Sequence, residues 1–247
     1  MPYAELHCLS CYSFLRGASH PHELVERAAA LGYTALAITD ECSLAGTVKA
    51  HVAAREAGLK LIIGSEFNLE EGIKLVALAP SRAAYSELSG LISMARRRSP
   101  KGQYRAALRD VIFHLTRCLL IWLPQDDGES CRAWGLQLAR LCNIRVWVGI
   151  SHLLGNDEVA RYQSLSELAA ATHLPMVACG DVQMHCASRK PLHDVFGALR
   201  YNTSIEQLGR RRAANSQQHL RSQRQLARLY PAALLEETIQ IAARCDF

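Results

Sequence analysis

The segment PHELVERAAALGYTALAITDECSLAG, residues 21–46, contains one complete unit of an α/β fold: a helix, a short strand and two carboxylates at the end of that strand. Pro21 is typical of the first turn of a helix. The apolar run at 34–39 is short and is followed directly by Asp40 and Glu41, as expected for a buried strand that ends at a polar edge. The unit is therefore predicted to place charged side chains at the carboxyl end of a strand.

The same alternation of strand and helix patterns extends through most of the chain. Strands are predicted at 3–7, 34–39, 60–67, 73–79, 118–124, 144–150 and 174–181. Helices are predicted at 21–32, 43–58, 81–98, 130–142 and 156–173. Such alternation predicts parallel strands joined by crossover helices. Regular spacing, without a glycine-rich loop after the first strand, favours a closed or nearly closed seven-stranded (β/α) barrel over an open doubly wound sheet.

The pattern changes near Ser188, after which only helices are predicted. We predict a barrel domain at 1–200 and a helical linker at 201–247. Because Phe247 lies within a helix pattern, we expect the sequence to continue in a longer protein.

Composition indicates a folded protein with its own core. Of the 247 residues, 49% are hydrophobic and 21% are charged, and no apolar run of membrane-spanning length or secretory signal is present. We predict a cytoplasmic protein with no membrane partner. The nine cysteines are scattered, and the single C-x-x-C, Cys8 to Cys11, has no second pair at zinc-site spacing, so free and mostly buried thiols are expected.

Positive charge is clustered within a modest net charge of +5. One cluster spans 95–105. The other is predicted to form a surface for nucleic acid or a partner protein, and its residues are Arg210, Arg211, Arg212, Arg221 and Arg224. The alternative is a solvated helix face, because the clusters lack the series of interleaved aromatic residues that favours nucleic-acid contact, with Tyr104 the one aromatic within them.

Chemically reactive side chains follow several predicted strands. His7 ends the first, Asp40 and Glu41 end the second, Glu66 ends the third and Asp181 ends the last. In a barrel of this class the active site lies at the carboxyl ends of the strands. These four stretches are therefore predicted to converge on one site.

Four motifs resemble, in order and spacing, the signature segments of the polymerase-and-histidinol-phosphatase (PHP) domain of bacterial polymerase alpha subunits. They are LHCLSCYSFLRGA (6–18), LAITDECSLAG (36–46), LIIGSEF (61–67) and ACGDVQMH (178–185). Within that family the chain is most similar to the error-prone, ImuC-type branch. The tail at 221–247 resembles the segment that leads into the polymerase core, so the resemblance covers the whole chain.

The resemblance implies a distorted seven-stranded barrel with a C-terminal helical extension. Active members hold up to three divalent metals and hydrolyse phosphoesters with metal-bound water, an activity associated with proofreading in the alpha-subunit branch. For a parent protein the resemblance implies Mg²⁺-dependent translesion DNA synthesis in the SOS response to DNA damage, with mutagenesis as a consequence. Implied partners are the rest of the polymerase chain, DNA, the sliding clamp and ImuA- and ImuB-type accessory proteins.

Several of the family's metal ligands are replaced in this sequence. His7, Glu66 and Asp181 match ligands, whereas Leu9 and Gln183 stand where the family has histidines. Arg16 replaces an acidic ligand. Glu41 replaces a histidine and could still coordinate a metal in its place. The resemblance thus predicts a vestigial pocket formed by His7, Leu9, Arg16, Glu41, Glu66, Asp181 and Gln183. The family's middle histidines have no clear match, with His114 and His152 the nearest candidates.

The substitutions argue against a working metal cluster. Leucine cannot coordinate a metal, and an amide is a poor ligand for Zn²⁺ or Mn²⁺. Arg16 would repel a cation and pair instead with Glu41, Glu66 or Asp181. We therefore expect no catalytic residue and no resident cofactor, and predict a structural platform.

Two alternatives remain open at the level of sequence. One is a single Zn²⁺ or Mn²⁺ held by the remaining pocket acids and His7, with His185 in place of Gln183. The other is a residual metal-dependent phosphoesterase or 3′–5′ exonuclease.

Overall fold

The computed structural model describes residues 2–125, 128–142 and 145–247, and places seven strands in one sheet in the order β1 to β7. The strands are β1 (Ala4–Glu5), β2 (Ala35–Ile38), β3 (Lys60–Asn68), β4 (Lys74–Ala79), β5 (Leu119–Trp122), β6 (Val146–Ile150) and β7 (Met176–Ala178). Each coincides with a strand predicted from the sequence, within one or two residues at most ends. The first residue of the strand predicted at 144–150, Ile144, lies outside the described residues.

The sheet closes into a barrel through the segments that follow β1 and β7. Cys8 and Val182 form a parallel bridge. The Val182 amide donates to the His7 carbonyl at 3.0 Å, and the Leu9 amide donates to the Val182 carbonyl at 2.8 Å. The seven-stranded α/β barrel predicted from the sequence is confirmed.

One strand departs from the prediction of parallel pairing. β4 is antiparallel to both β3 and β5, whereas every other ladder is parallel. Only residues 69–73 separate β3 from β4, and a parallel crossover needs a dozen residues or more. The prediction was wrong here because the two strands form a hairpin.

Helices surround the barrel. They are α1 (Pro21–Ala30), α2 (Thr47–Ala57), α3 (Arg82–Arg97), α4 (Leu108–His114), α5 (Glu129–Cys142), α6 (Glu158–Thr172), α7 (Lys190–Arg200), α8 (Gln223–Leu229) and α9 (Ala232–Arg244). The predicted helix at 43–58 begins only at Thr47, and α4 was not predicted. No helix within the described ranges is long and apolar enough to cross a membrane.

Helix α9 closes the end of the barrel at which the parallel strands begin. Ile241, Ala242 and Cys245 belong to the same buried cluster as the inward-facing residues of the strands. The Ala4 amide donates to Thr238 Oγ1 at 3.2 Å, at the start of β1. The predicted boundary between 1–200 and 201–247 stays a prediction, but α9 is part of the packed barrel.

The interior of the barrel changes from apolar to charged along β3 and β4. In the antiparallel register Glu66 faces Val76, and Asn68 faces Lys74. Val76 belongs to the buried interior cluster. Because side chains on one strand face recur every two residues, Lys74, Glu66 and Asn68 share the inward face at the end opposite α9.

The cysteines within the described residues are free thiols, as expected. Most are buried, and burial raises the pKa of the Cys8 and Cys179 thiols well above the ordinary value. The side chain of Cys142 lies outside the described residues. Raised pKa values disfavour the thiolate, which argues for structural roles.

Candidate functional site

A polar pocket lies at the end of the barrel opposite α9. His7, Glu66 and Asp181 each offer one ligand atom within 4.8 Å of the others. His7 Nε2 is 2.7 Å from Glu66 Oε2, and His7 Nδ1 is 3.6 Å from Asp181 Oδ1. The predicted convergence of these strand-end residues is therefore observed.

Arg16 joins two carboxylates of this pocket. Its Nη1 donates to Glu66 Oε1 at 2.5 Å and to Glu41 Oε2 at 2.6 Å. The Arg16 side chain is only 11% exposed, and that of Glu66 is fully buried. The guanidinium thus contacts two of the three acids with which the sequence predicted it to pair.

Lys74 is a second cation in the pocket, and sequence reasoning missed it. Its Nζ is 3.2 Å from Glu66 Oε2 and 3.8 Å from Asp181 Oδ1. Asp181 therefore faces Lys74 rather than Arg16. The missed signal was the lysine at an inward-facing position of IKLVALA (73–79), two residues before the buried Val76.

The loop at 10–17 fixes the position of Arg16. Ser10 Oγ and Ser13 Oγ donate to the buried Asp40 carboxylate at 2.6 and 2.7 Å. A Cβ on Gly17 would lie 2.0 Å from the Ser10 carbonyl oxygen, so the loop closes only with glycine at that residue. Asp40, predicted as a strand-end site residue, instead anchors this loop.

Glu41 is held from its other side by neutral donors. Asn68 Nδ2 donates to Glu41 Oε1 at 2.8 Å, and the Tyr104 hydroxyl donates to the same oxygen at 3.0 Å. Asn68 Nδ2 also lies 3.3 Å from Glu66 Oε1. These contacts fix Glu41 beside Arg16, where it is a partner of the guanidinium.

Two residues at replaced ligand positions take other roles. Leu9 is fully buried. Gln183 Oε1 is 2.8 Å from His193 Nε2, within hydrogen-bond distance. His185 Nδ1 is 2.8 Å from Ser19 Oγ, so His185 does not replace Gln183 in the metal-type group.

The candidate middle histidines also lie outside the metal-type group. His152 Nδ1 is 2.7 Å from Glu158 Oε2, and its ring is 4.9 Å from that of Tyr230, centroid to centroid. His114 is exposed at the end of α4. Among the described residues, the group that could hold a metal consists of His7, Glu66 and Asp181.

The predicted arginine surface is not uniform. Arg221 is only 2% exposed, and its backbone carbonyl accepts a hydrogen bond from the Tyr33 hydroxyl at 2.7 Å. Its inclusion in an accessible surface was therefore wrong. Arg212 Nε donates to Asp194 Oδ2 at 2.9 Å, while Arg210, Arg211 and Arg224 are exposed.

Charge pairing outweighs burial throughout the pocket. Burial raises the pKa of the Glu66 carboxyl, but His7, Lys74 and Arg16 together bring that pKa well below its ordinary value. Burial also raises the pKa values of Asp181 and Glu41. Lys74 nevertheless lowers the pKa of Asp181 below its ordinary value, and Arg16 does the same for Glu41. The pKa values of Arg16 and Lys74 are raised, because the facing carboxylates outweigh burial. The three carboxylates and the two cations therefore form an ionised, mutually neutralising network.

The donor set does not fit the multi-metal cluster that the family resemblance implies. Arg16 and Lys74 already approach the Glu66 oxygens at 2.5 and 3.2 Å. A divalent cation needs those oxygen lone pairs and would be repelled by both charges. A metal at Glu66 would require at least one side-chain cation to leave.

The Glu66→Gln substitution is expected to destabilise the protein at neutral pH and much less in acid. Because the folded-state pKa of Glu66 is depressed, its contribution is fully present above the ordinary value near 4.5 and is lost as the pH falls below it. The difference in unfolding free energy between wild type and variant should therefore shrink from pH 7 toward pH 3 in urea titrations. Glu70→Gln, at an exposed ion pair with Arg105, is the control with a small difference at every pH. A Glu66→Gln difference independent of pH would contradict this account.

Comparison with known proteins places the chain in a family. The model of the PHP domain matches residues 5–131, just over half of the chain. Error-prone DNA polymerases from Saccharophagus degradans and Teredinibacter turnerae are 51% and 48% identical across 100% of this chain. The chain spans about a quarter of their length, 24% in each case.

A solved structure shares the fold at much lower sequence similarity. An amidohydrolase from Chromobacterium violaceum superposes with a TM-score of 0.54 at 16% identity, covering 74% of this chain and 88% of that one. That likeness concerns the fold alone. Because the model of the PHP domain matches more than half of its residues, the chain belongs to the PHP domain family.

Proposed function

We propose that this chain is the PHP portion of an error-prone DNA polymerase in which two side-chain cations have replaced the metal cluster, so that the domain is a structural platform and not a phosphoesterase. The observation that carries this proposal is the position of Arg16 Nη1, which lies 2.5 Å from Glu66 and 2.6 Å from Glu41. Arg16 stands where the family's pattern has an acidic ligand. The substitution converts a ligand into a permanent counter-ion.

Charge balance supports a replacement of metals by side chains. Glu41, Glu66 and Asp181 converge, and three unneutralised carboxylates would repel one another and lose their ionisation. Arg16 and Lys74 supply two positive charges within 4 Å of these acids. The pocket can therefore remain ionised and folded without a divalent ion.

The same replacement removes the chemistry. Phosphoester hydrolysis in this family depends on metal ions that lower the pKa of bound water and hold both reacting oxygens. A guanidinium and an ammonium donate hydrogen bonds and balance charge, but they do not coordinate water. The pocket keeps the fold of a hydrolase site without its catalytic groups.

This proposal assigns polymerase activity to a longer protein of this kind and not to the present chain alone. The relatives are error-prone DNA polymerases about four times as long, which supports the remainder of such a polymerase as the partner of this platform. Synthesis across damaged DNA with Mg²⁺, the SOS response, the sliding clamp and ImuA- and ImuB-type partners are part of this proposal. A cytoplasmic location also stays a prediction.

A second candidate, a weak single-metal phosphoesterase or exonuclease, has one observation in its favour. His7 Nδ1 and Asp181 Oδ1 are buried and lack a hydrogen-bond partner, since the 3.6 Å between them exceeds hydrogen-bond length. A metal could use both atoms only beside the Lys74 ammonium, 3.8 Å from Asp181 Oδ1. We therefore rank this candidate below the platform.

The test is hydrolysis of a phosphodiester by the purified chain. We expect no turnover of bis(p-nitrophenyl) phosphate or of a 3′-labelled single-stranded oligonucleotide with Mn²⁺ or Zn²⁺, and no change of melting temperature with EDTA. Metal-dependent turnover that disappears in Glu66→Gln would overturn the platform and establish the second candidate. Turnover equal in both proteins would indicate a contaminating nuclease. After further purification to a constant background we then expect no turnover in either protein.

A further inference from the structure

A cleft of about 620 Å³ adjoins the pocket, and Arg16 and Glu41 form part of its lining. Its lining brings together four parts of the chain: the loop after β1, Glu41 after β2, the end of α3 with the segment that follows it, and the end of α7. The residues that matter for recognition are Tyr12, Phe14, Tyr104, Arg96 and Arg200. Aromatic rings and guanidinium groups dominate this set.

Phe14 is the most unusual of these residues. It is 81% exposed at the edge of the cleft, beside Tyr12 and Tyr104. A phenylalanine with this exposure contributes little to a core, and its apolar ring is available for a partner. It occupies the same loop that fixes Arg16, so its place beside the cleft is determined by the anchored backbone.

The cleft also carries positive charge that acidic groups leave largely unneutralised. Arg96 donates to the carbonyls of Cys42 and Glu41 at 3.2 and 3.1 Å, bonds that orient the guanidinium without cancelling its charge. No ion pair to Arg96 or Arg200 occurs within the described ranges. Lys49 adds an ammonium 5.8 Å from the Tyr12 ring centroid. Glu41, the one acid of the lining, is already paired with Arg16.

The fold supplies what the sequence lacks. The basic cluster at 95–105 has no neighbouring aromatic stacking residue except Tyr104, which argued against nucleic-acid contact. In the folded chain Tyr12 and Phe14 stand beside Arg96 and Tyr104. Cations that can track phosphates and rings that can stack on bases are the two components of a single-strand binding groove.

We propose that this cleft binds single-stranded nucleic acid, with an unpaired base stacked on Phe14 and phosphates held by Arg96 and Arg200. The occupant is single-stranded because a protruding phenyl ring stacks only on a base whose face is free. Binding requires no metal and no reaction in the adjacent pocket. The inference therefore goes beyond the platform function and does not depend on it.

The experiment measures fluorescence anisotropy of a labelled oligo(dT) of about 12 nucleotides, a length within known single-strand site sizes, against the folded 247-residue chain in EDTA. We expect binding that weakens as salt rises. Phe14→Ala should weaken it on the order of tenfold, because one stacked base is lost. Phe113→Ala is the matched control, since Phe113 is 82% exposed on α4 away from the cleft lining, and it should leave the affinity unchanged.

A second variant tests the phosphate contact. Arg200→Ala should lower the slope of log affinity against log salt by about 0.7, the value for one phosphate contact on a single strand. Arg132→Ala, at an exposed arginine of α5, should leave the slope unchanged.

The outcomes that would overturn the proposal are distinct from those that would overturn the platform. Absence of binding, or equal affinity of Phe14→Ala and Phe113→Ala, would refute stacking in this cleft. Competition by polyglutamate as effective as competition by unlabelled oligo(dT) would assign the cleft to acidic protein instead. Because EDTA is present throughout, none of these results bears on metal-dependent hydrolysis.

Discussion

Replacement of Arg16 by methionine should lower the free energy of unfolding by about 3–5 kcal/mol at neutral pH, the usual cost of removing one partner from a buried ion pair. Methionine keeps much of the side-chain length but removes the charge. Glu66, which is fully buried, and Glu41, which is 19% exposed, would lose the guanidinium between them. Urea unfolding followed by circular dichroism measures the change.

Arg105→Met is the matched control for that loss. Arg105 Nε lies 2.6 Å from Glu70 Oε1, a distance similar to those made by Arg16, but the two side chains are 68% and 41% exposed. Exposed pairs contribute at most about 1 kcal/mol. Similar small losses in both variants would show that the pocket does not need the Arg16 charge.

Replacement of Leu9 by alanine is expected to cost about 2–5 kcal/mol. Leu9 is fully buried and is among the largest such side chains of the described residues. Its removal would leave a cavity between the segment after β1 and its neighbours. The resemblance aligns Leu9 with a metal-ligating histidine, so this loss would show that a ligand position has become part of the core.

Phe14→Ala provides the comparison on the same loop. Phe14 is 81% exposed, so its truncation should change the free energy of unfolding by less than about 0.5 kcal/mol. Comparison of Leu9→Ala with Phe14→Ala separates core packing from loop folding. The Phe14→Ala measurement also shows whether the variant used in the oligonucleotide-binding experiment is folded. A loss below about 1 kcal/mol for Leu9→Ala would contradict a packing role for Leu9.

The barrel was predictable because its signal is local. The run at 34–39, followed by Asp40 and Glu41, has the length and boundaries of a buried strand, and the pattern repeats. Strand direction was less accessible, because it depends on the connection and not on the strand. The five residues between β3 and β4 contained the necessary information, since they exclude a crossover helix.

The pocket was predictable in part, for a different reason. His7, Glu66 and Asp181 were found because matching motifs identify them and strand ends meet in a barrel. Lys74 was missed because no ligand motif contains it. The two-residue period of β4 puts Lys74 on the same face as Val76, but its contact with Glu66 depends on the β3–β4 register, which only the folded sheet supplies.

The arginine surface shows the limit of reading charge from sequence. Arg221 carries the same charge as Arg224 but is 2% exposed, whereas Arg224 is exposed. Their spacing in sequence does not reveal that the fold buries the first of them, whose carbonyl is bound by the distant Tyr33. The cleft at Phe14 shows the reverse case: its rings and cations are distant in sequence and come together only in the fold.

The most direct test of the central claim is the metal content of the purified chain. The protein is incubated with Zn²⁺ and Mn²⁺, desalted without chelator and analysed by elemental mass spectrometry. If Arg16 and Lys74 have replaced the metal cluster, the desalted protein will contain no more metal than the protein-free buffer from the same column. One or more equivalents of metal per chain, lost in Glu66→Gln, would contradict that claim.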